Sequence, residues 1–342
     1  MGTLPQRRQK KRSQEEVTLA KSKTKYLATK EEIAALFEKM GIRDITEIEP
    51  LGAGEFNAAY QIATQAKKYV LKIAPPETAE VLTYEKGMME SEVFWYEQMR
   101  EHTDIGIPMV YAFDFQHGII GAHCFVMEYI EGEPLWAVNR DKEENRRIQA
   151  EKINMLTKIH KIHGQKYGYL QSGLHDTWYE AIRAMTSALV QDCERLGRET
   201  PDGRRLIEML DKHREILQKV PCSMVNFDLW DSNILYQNGK LYWIDPERSF
   251  WGDRIADFIT LGRGQKIPLY EKQEEIEIYN QTAETPIACG REENIRYAVA
   301  VAYLALIEEV EKYVRYEPGE PNYIRNTKDA RDMYDMAWGV LS

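Results

Sequence analysis

Two rhythms of apolar and polar positions divide the chain. Near its start, Thr29-Lys30-Glu31-Glu32 has the form of a capping box, and Ile33, Leu36, Phe37 and Met40 follow at helical spacing. Gly41 ends that predicted helix. From Asp44 onward the rhythm shortens to strand-like runs over 45–51, 58–62 and 69–73, broken by Gly52-Ala53-Gly54 and by residues 64–68. A helix is predicted over 78–99, with Val93, Tyr96 and Met99 on one stripe, followed by strands over 109–115 and 123–130.

After Gly132 long amphipathic stretches take over. Helices are predicted over 142–163, 178–196, 204–219, 268–283, 292–316 and 328–341. One hairpin interrupts them, with strands over 233–236 and 241–245 around Gln237-Asn238-Gly239. This order predicts an α+β, bilobal fold: a small antiparallel-sheet lobe over 29–130, then a larger, mostly helical lobe over 131–342.

Charge sharpens the picture. The 342 residues are 43% hydrophobic, enough for a substantial core, and carry a net charge of −10. Residues 1–28 hold eight Lys and Arg against only Glu15 and Glu16, so a +6 tail precedes a −16 body. A body of that sign repels a phosphate backbone, so no nucleic-acid partner is expected, and the basic tail is expected to be solvated and disordered. No apolar run reaches the ~18 residues that span a bilayer. The N-terminus lacks a signal-peptide core, and Gln6 stands where a myristoylation site wants Ser or Thr. No membrane association is expected. Cys124, Cys193, Cys222 and Cys289 form no C-x-x-C pair and read as reduced packing residues of a cytoplasmic protein.

Four short elements carry chemistry. In the first, Leu51-Gly52-Ala53-Gly54-Glu55-Phe56-Asn57, glycines between two strands let backbone N–H groups approach a phosphate; a plain hairpin turn is the alternative. The second, Tyr69-Val70-Leu71-Lys72-Ile73, aims one ammonium from a strand, and Glu92 on the inward stripe of the next helix is its chosen partner, with Glu85 and Glu90 as rivals. The third is Asn226-Phe227-Asp228-Leu229-Trp230-Asp231-Ser232-Asn233-Ile234-Leu235, in which an Asn follows an Asp by five residues and leads into a strand. That is the spacing of a kinase catalytic loop, where the Asp accepts a hydroxyl proton and the Asn binds Mg²⁺. In the fourth, Asp245 ends an apolar strand across the hairpin from Asn233, which makes an oxygen-ligand pair for Mg²⁺. His160 and His163, one turn apart, read as packing or surface histidines for want of a third ligand.

The run 226–235, with Ile244-Asp245-Pro246-Glu247 and Gly252-Asp253-Arg254-Ile255-Ala256-Asp257-Phe258, resembles the aminoglycoside phosphotransferase and choline kinase group. The resemblance covers about residues 45–260. It implies a protein-kinase-like fold, ATP and Mg²⁺ as cofactors, and phosphoryl transfer to a hydroxyl of a small molecule. Asp228 would be the base, Asn233 and Asp245 the metal ligands, and Lys72 the phosphate clamp paired with Glu92. Gly52, Gly54 and Asn57 would lie under the phosphates. Glu128 and Tyr129 would belong to the inter-lobe hinge that meets adenine, and Asp257 would brace the catalytic loop. The acidity of the body suits a cationic acceptor, and the resemblance makes an aminoglycoside-like one the favoured choice. The group's usual His-Gly is Asn226-Phe227 here, which leaves a catalytically silent nucleotide-binding scaffold as the alternative. No Asp-Phe-Gly and Ala-Pro-Glu activation segment is present, against a protein kinase.

Overall fold

Thr29 caps α1 (Lys30–Lys39) reciprocally with Glu32, and Gly41 follows at φ 81°, so the first predicted helix forms within its predicted limits. The computed structural model describes residues 24–52, 56–261 and 269–342. Residues 24–28, assigned to the basic tail by composition, lie against the first lobe: the Ala28 N–H donates to the Tyr60 hydroxyl at 3.2 Å. The cluster from Arg7 to Arg12 is outside the described residues.

β1 (Ile45–Pro50), β2 (Ala58–Thr64) and β3 (Lys68–Ile73) precede α2 (Met88–His102), and β4 (Val110–Asp114) and β5 (Cys124–Glu128) follow it. The five strands make one antiparallel sheet in the order β1-β2-β3-β5-β4. Ile62, Leu71, Ile73 and Val126 pack one sheet face against Ile33 and Phe37 of α1. Val70, Phe125 and Met127 belong instead to the main core, with α2.

The helix predicted over 78–99 begins ten residues later than expected. Gly87 sits at φ 76°, left-handed and unable to continue a helix, and the segment before it is tied elsewhere. The Thr83 N–H and hydroxyl donate to Asp192 at 2.7 and 2.8 Å, and the Tyr84 carbonyl accepts from Gln171 at 2.8 Å. Amphipathic spacing cannot see such competing partners.

β6 (Glu133–Pro134) leads into α3 (Lys142–His160), α4 (Trp178–Arg195), α5 (Pro201–Lys212) and the short α6 (Arg214–Leu217). The single helix predicted over 204–219 is therefore two, parted at His213, whose ring contacts the Leu341 carbonyl at 3.2 Å. β7 (Ser223–Val225), β8 (Ile234–Gln237), β9 (Lys240–Trp243) and β10 (Phe250–Gly252) follow. β8 and β9 form the predicted hairpin, turning at Asn238 and Gly239 with φ 49° and 83°. β7 pairs with β10, too short a ladder to leave a periodic signal. α7 (Gln273–Asn280), α8 (Arg291–Arg315) and α9 (Pro321–Leu341) complete the chain. α9 starts seven residues before its predicted limit because Pro321 occupies the first turn, where a missing N–H costs nothing. α8 is buried from Tyr297 through Ile307 and forms the axis of the helical lobe.

Candidate active site

The loop that follows β7 is held from below by one carboxylate. Asp257, completely buried, accepts the N–H of Asn226 at 3.0 Å and of Phe227 at 2.6 Å. His160 of α3 lies against the same carboxylate, Nε2 to Oδ2 at 3.0 Å, while its Nδ1 meets the Tyr279 hydroxyl at 2.9 Å. Burial lowers the His160 pKa, so the ring is neutral: Nε2–H donates to Asp257 and Nδ1 accepts from Tyr279. Stability is therefore expected to fall as pH drops below about 6.5, the ordinary histidine value, since only the unfolded chain then takes up that proton. Urea melts between about pH 5 and pH 8 check this, and His160→Gln flattens the slope.

Phe227 explains how the loop tolerates its departure from the His-Gly pattern. Its φ is 61°, the left-handed region where glycine is free and another residue costs about 1–2 kcal/mol. Packing offsets the cost: the ring is buried, 5.3 Å from Phe250 and 6.0 Å from Tyr303. Asn226 takes the neighbouring place and accepts the Asp228 N–H through Oδ1 at 3.1 Å. At the far end, Asp231 is anchored by buried Lys152 at 2.7 Å and by Arg140 at 3.5 Å. Burial alone would raise the Asp231 pKa, but these cations hold it below the ordinary range.

Asp228 projects from this braced loop. Asn233 donates to its Oδ2 at 2.9 Å and to its carbonyl at 3.1 Å, and the guanidinium of Arg248 stands 4.0 Å away. Burial, opposed by Arg248 and aided by the charge of Asp245, pushes the Asp228 carboxyl up to about 6. The hairpin brings Asn233 and Asp245 to one end, the Ile244 N–H donating to the Asn233 carbonyl at 3.0 Å. Asp245 itself sits at φ 62°, its N–H bonded to the Tyr96 hydroxyl at 2.9 Å.

Of the three candidate partners for Lys72, Glu92 is the one that meets it, both carboxylate oxygens accepting from Nζ at 2.8 and 2.7 Å. Glu85 pairs with Arg315 and Glu90 with His123. Lys72 also meets Asp245 and, at 3.5 Å, Glu247. Burial alone would lower its pKa, but Asp245, Glu92 and Glu247 hold it well above the ordinary lysine value. One cation thus serves three carboxylates whose oxygens lie within 4.8 Å of one another. The deficit shows on the acids: burial pushes Glu92 up to about 7 despite Lys72, and burial with Asp245 raises Glu247.

These groups face a cleft of about 680 Å³. Leu51, Val70, Met127 and Ile130 form its apolar wall, and Gly52, Glu128, Tyr129, Asp228, Asn233 and Asp245 line it too. Asn57 donates to Glu247 at 2.8 Å while its Oδ1 is buried with no partner among the described residues. Gly54 lies outside the described residues.

Sequence reasoning left Glu247, Arg248, Lys152 and Glu311 without roles. A signal existed for two of them: Lys152 lies on the stripe Ile148, Leu156, and Glu311 continues the stripe Tyr303, Ile307, both charges where apolar residues belong.

The model of the phosphotransferase enzyme family matches residues 47–281. The chain belongs to that family. It is an enzyme of the small-molecule kinase type, with a hydroxyl as acceptor. No curated protein shows significant sequence similarity to it. Among solved structures, a protein assigned as an aminoglycoside phosphotransferase from Ralstonia eutropha is similar at TM-score 0.67 and 17% identity, covering 92% of this chain and 98% of its own. A protein assigned as a fructosamine-3-kinase from Haemophilus somnus gives TM-score 0.64 and 17% identity over 88% of this chain and 96% of its own. An aminoglycoside phosphotransferase solved with gentamicin gives TM-score 0.61 and 16% identity over 90% and 99%; the same enzyme is also known with streptomycin and ATP. These likenesses establish the fold, α+β and bilobal as in protein kinases. Among the described residues no helix is long and apolar enough to cross a membrane.

Proposed function

We propose that this phosphotransferase moves the γ-phosphoryl group of ATP, with Mg²⁺, to a hydroxyl of a small molecule. The observation that carries the reading is the single cleft that joins an apolar slot to Lys72, Asp228 and Asp245. The slot beside the backbone of Glu128 and Tyr129 would take the adenine, and Gly52 and Asn57 would lie under the phosphates. Lys72, held by Glu92, neutralises phosphate oxygens. Asp228 accepts the proton of the attacking hydroxyl.

Asn233 and Asp245 are the residues that would hold Mg²⁺, with Glu247 beside them. The fit rests on chemistry present in the cleft: three carboxylates against one lysine leave room for a divalent charge, and all the donors are hard oxygens. The metal would supply charge neutralisation at the transferring phosphate. The acidic body and the aminoglycoside complexes of the solved relatives support an acceptor that carries an amine.

Transfer of labelled phosphate from ATP to a panel of hydroxyl compounds tests the reading. Turnover is expected with Mg²⁺ and none with a chelator. Its kcat/KM is expected to fall as pH drops below about 6, because the base must be ionised to act. Mg-ATP binding without transfer to any acceptor would instead identify a silent scaffold.

A further inference from the structure

The cleft wall beside Asp228 carries a guanidinium. Arg248 follows Asp245 by three residues, lines the cleft, and points its Nε to within 4.0 Å of the Asp228 carboxylate. Its side chain is 16% exposed. Among the described residues its hydrogen bonds engage one terminal amine alone, which donates to one Glu311 oxygen at 3.2 Å and stands 2.9 Å from the other. Nε faces Asp228, and the other terminal amine has no hydrogen bond among the described residues. Glu311 is shared with Arg315 at 3.3 Å, which also pairs with Glu85, and accepts from the Tyr84 hydroxyl; Asp228 and Glu247 add negative charge beside the Arg248 guanidinium. A second guanidinium, Arg325 of α9, lines the same cleft and is exposed.

A purely cationic acceptor with its hydroxyl on Asp228 would meet two arginines there. Resting on the kinase reading above, we infer that the acceptor carries an anionic oxyacid group, carboxylate or phosphate, close to the reacting hydroxyl, and that Arg248 with Arg325 receives it. Arg248 is then the specificity-determining residue of the acceptor end. A planar guanidinium with free donors suits either oxyacid, and its position beside the base fixes the hydroxyl at the same time. The far-field acidity and this local charge do different things. The body steers an amine-bearing molecule toward the cleft, and Arg248 selects those that also bear an anion.

The test is equilibrium binding to the full chain saturated with Mg²⁺ and a non-hydrolysable ATP analogue. Matched probes isolate the anion: serine against ethanolamine, glycerate against glycerol, and glycerol 3-phosphate for the phosphate arm, with kanamycin as the polycation. At least one anionic probe is expected to bind ten or more times tighter than its matched partner. Arg248→Met should erase that preference while nucleotide affinity stays, and Arg248→Lys should keep part of it. Because Arg248→Met orphans Glu311, the double variant Arg248→Met, Glu311→Gln provides a folded control with the same expected loss. Equal binding within each pair, no binding by any anionic probe, or tighter binding of kanamycin in both parent and variant overturns the inference. So does a loss of nucleotide affinity in Arg248→Met, which would assign the guanidinium to the donor phosphate. Failure of the parent to bind the Mg-nucleotide at all would overturn the kinase reading itself.

Discussion

Asp228→Asn is expected to lower turnover by about 10²–10⁴-fold, the range a positioned general base contributes, and to leave Mg-nucleotide affinity unchanged. Asparagine keeps the shape and can still accept the Asn233 amide that now reaches Oδ2 at 2.9 Å. It cannot take a proton from the acceptor. The variant should also be at least as stable as the parent. The sign follows from the raised carboxyl: a group whose folded pKa stands above its unfolded value costs stability once pH rises through the folded value, here about 6, and asparagine removes that cost. A thermal midpoint at or above the parent's, together with lost turnover, separates chemistry from unfolding. The acid limb of kcat/KM should vanish with the base. Parent-like turnover on the true acceptor would remove Asp228 from its role.

Most of what makes this reading available was legible in the chain because it is local. A capping box, an Asn-Gly turn between two strands and an Asp five residues before an Asn are short-range facts, and α1, the β8–β9 hairpin and the catalytic loop form where those facts place them. The partnership of Lys72 with Glu92 was legible from one helical stripe, though not distinguishable there from Glu85 or Glu90 on contact grounds. The missed features are nonlocal. α2 starts late because Thr83 is held by Asp192, which is 109 residues away in sequence. Arg248 matters through Glu311, 63 residues on. A count over the whole body favours a cation, and only the fold shows that Arg248 stands 4.0 Å from Asp228 in the same cleft.

Lys72→Met is expected to destroy phosphoryl transfer and, unlike the substitution of Asp228, to damage the fold as well. Lys72 is the cation that Glu92, Asp245 and Glu247 share, with 9% of its side chain exposed. Removing one partner from a buried ion pair costs about 3–5 kcal/mol because the remaining charge has neither water nor counter-ion. The loss should depend on pH in a defined direction. Without the ammonium, Glu92 and Glu247 are held even further above the ordinary carboxylate value than burial already holds them. The folded variant then binds protons that the unfolded chain does not, so its stability should be greatest in mild acid and decline as pH rises toward and past 7. Divalent metal should act in the same sense as protons. If the cluster is an oxygen-donor site, millimolar Mg²⁺ without nucleotide should raise the thermal midpoint of Lys72→Met more than that of the parent, because the added charge replaces the missing ammonium. Calorimetric scans with and without Mg²⁺, at about pH 5.5 and pH 8, decide it. A variant as stable as the parent at high pH would mean that the three carboxylates do not depend on Lys72. An equal response of variant and parent to Mg²⁺ would leave the cluster without a role in holding the metal.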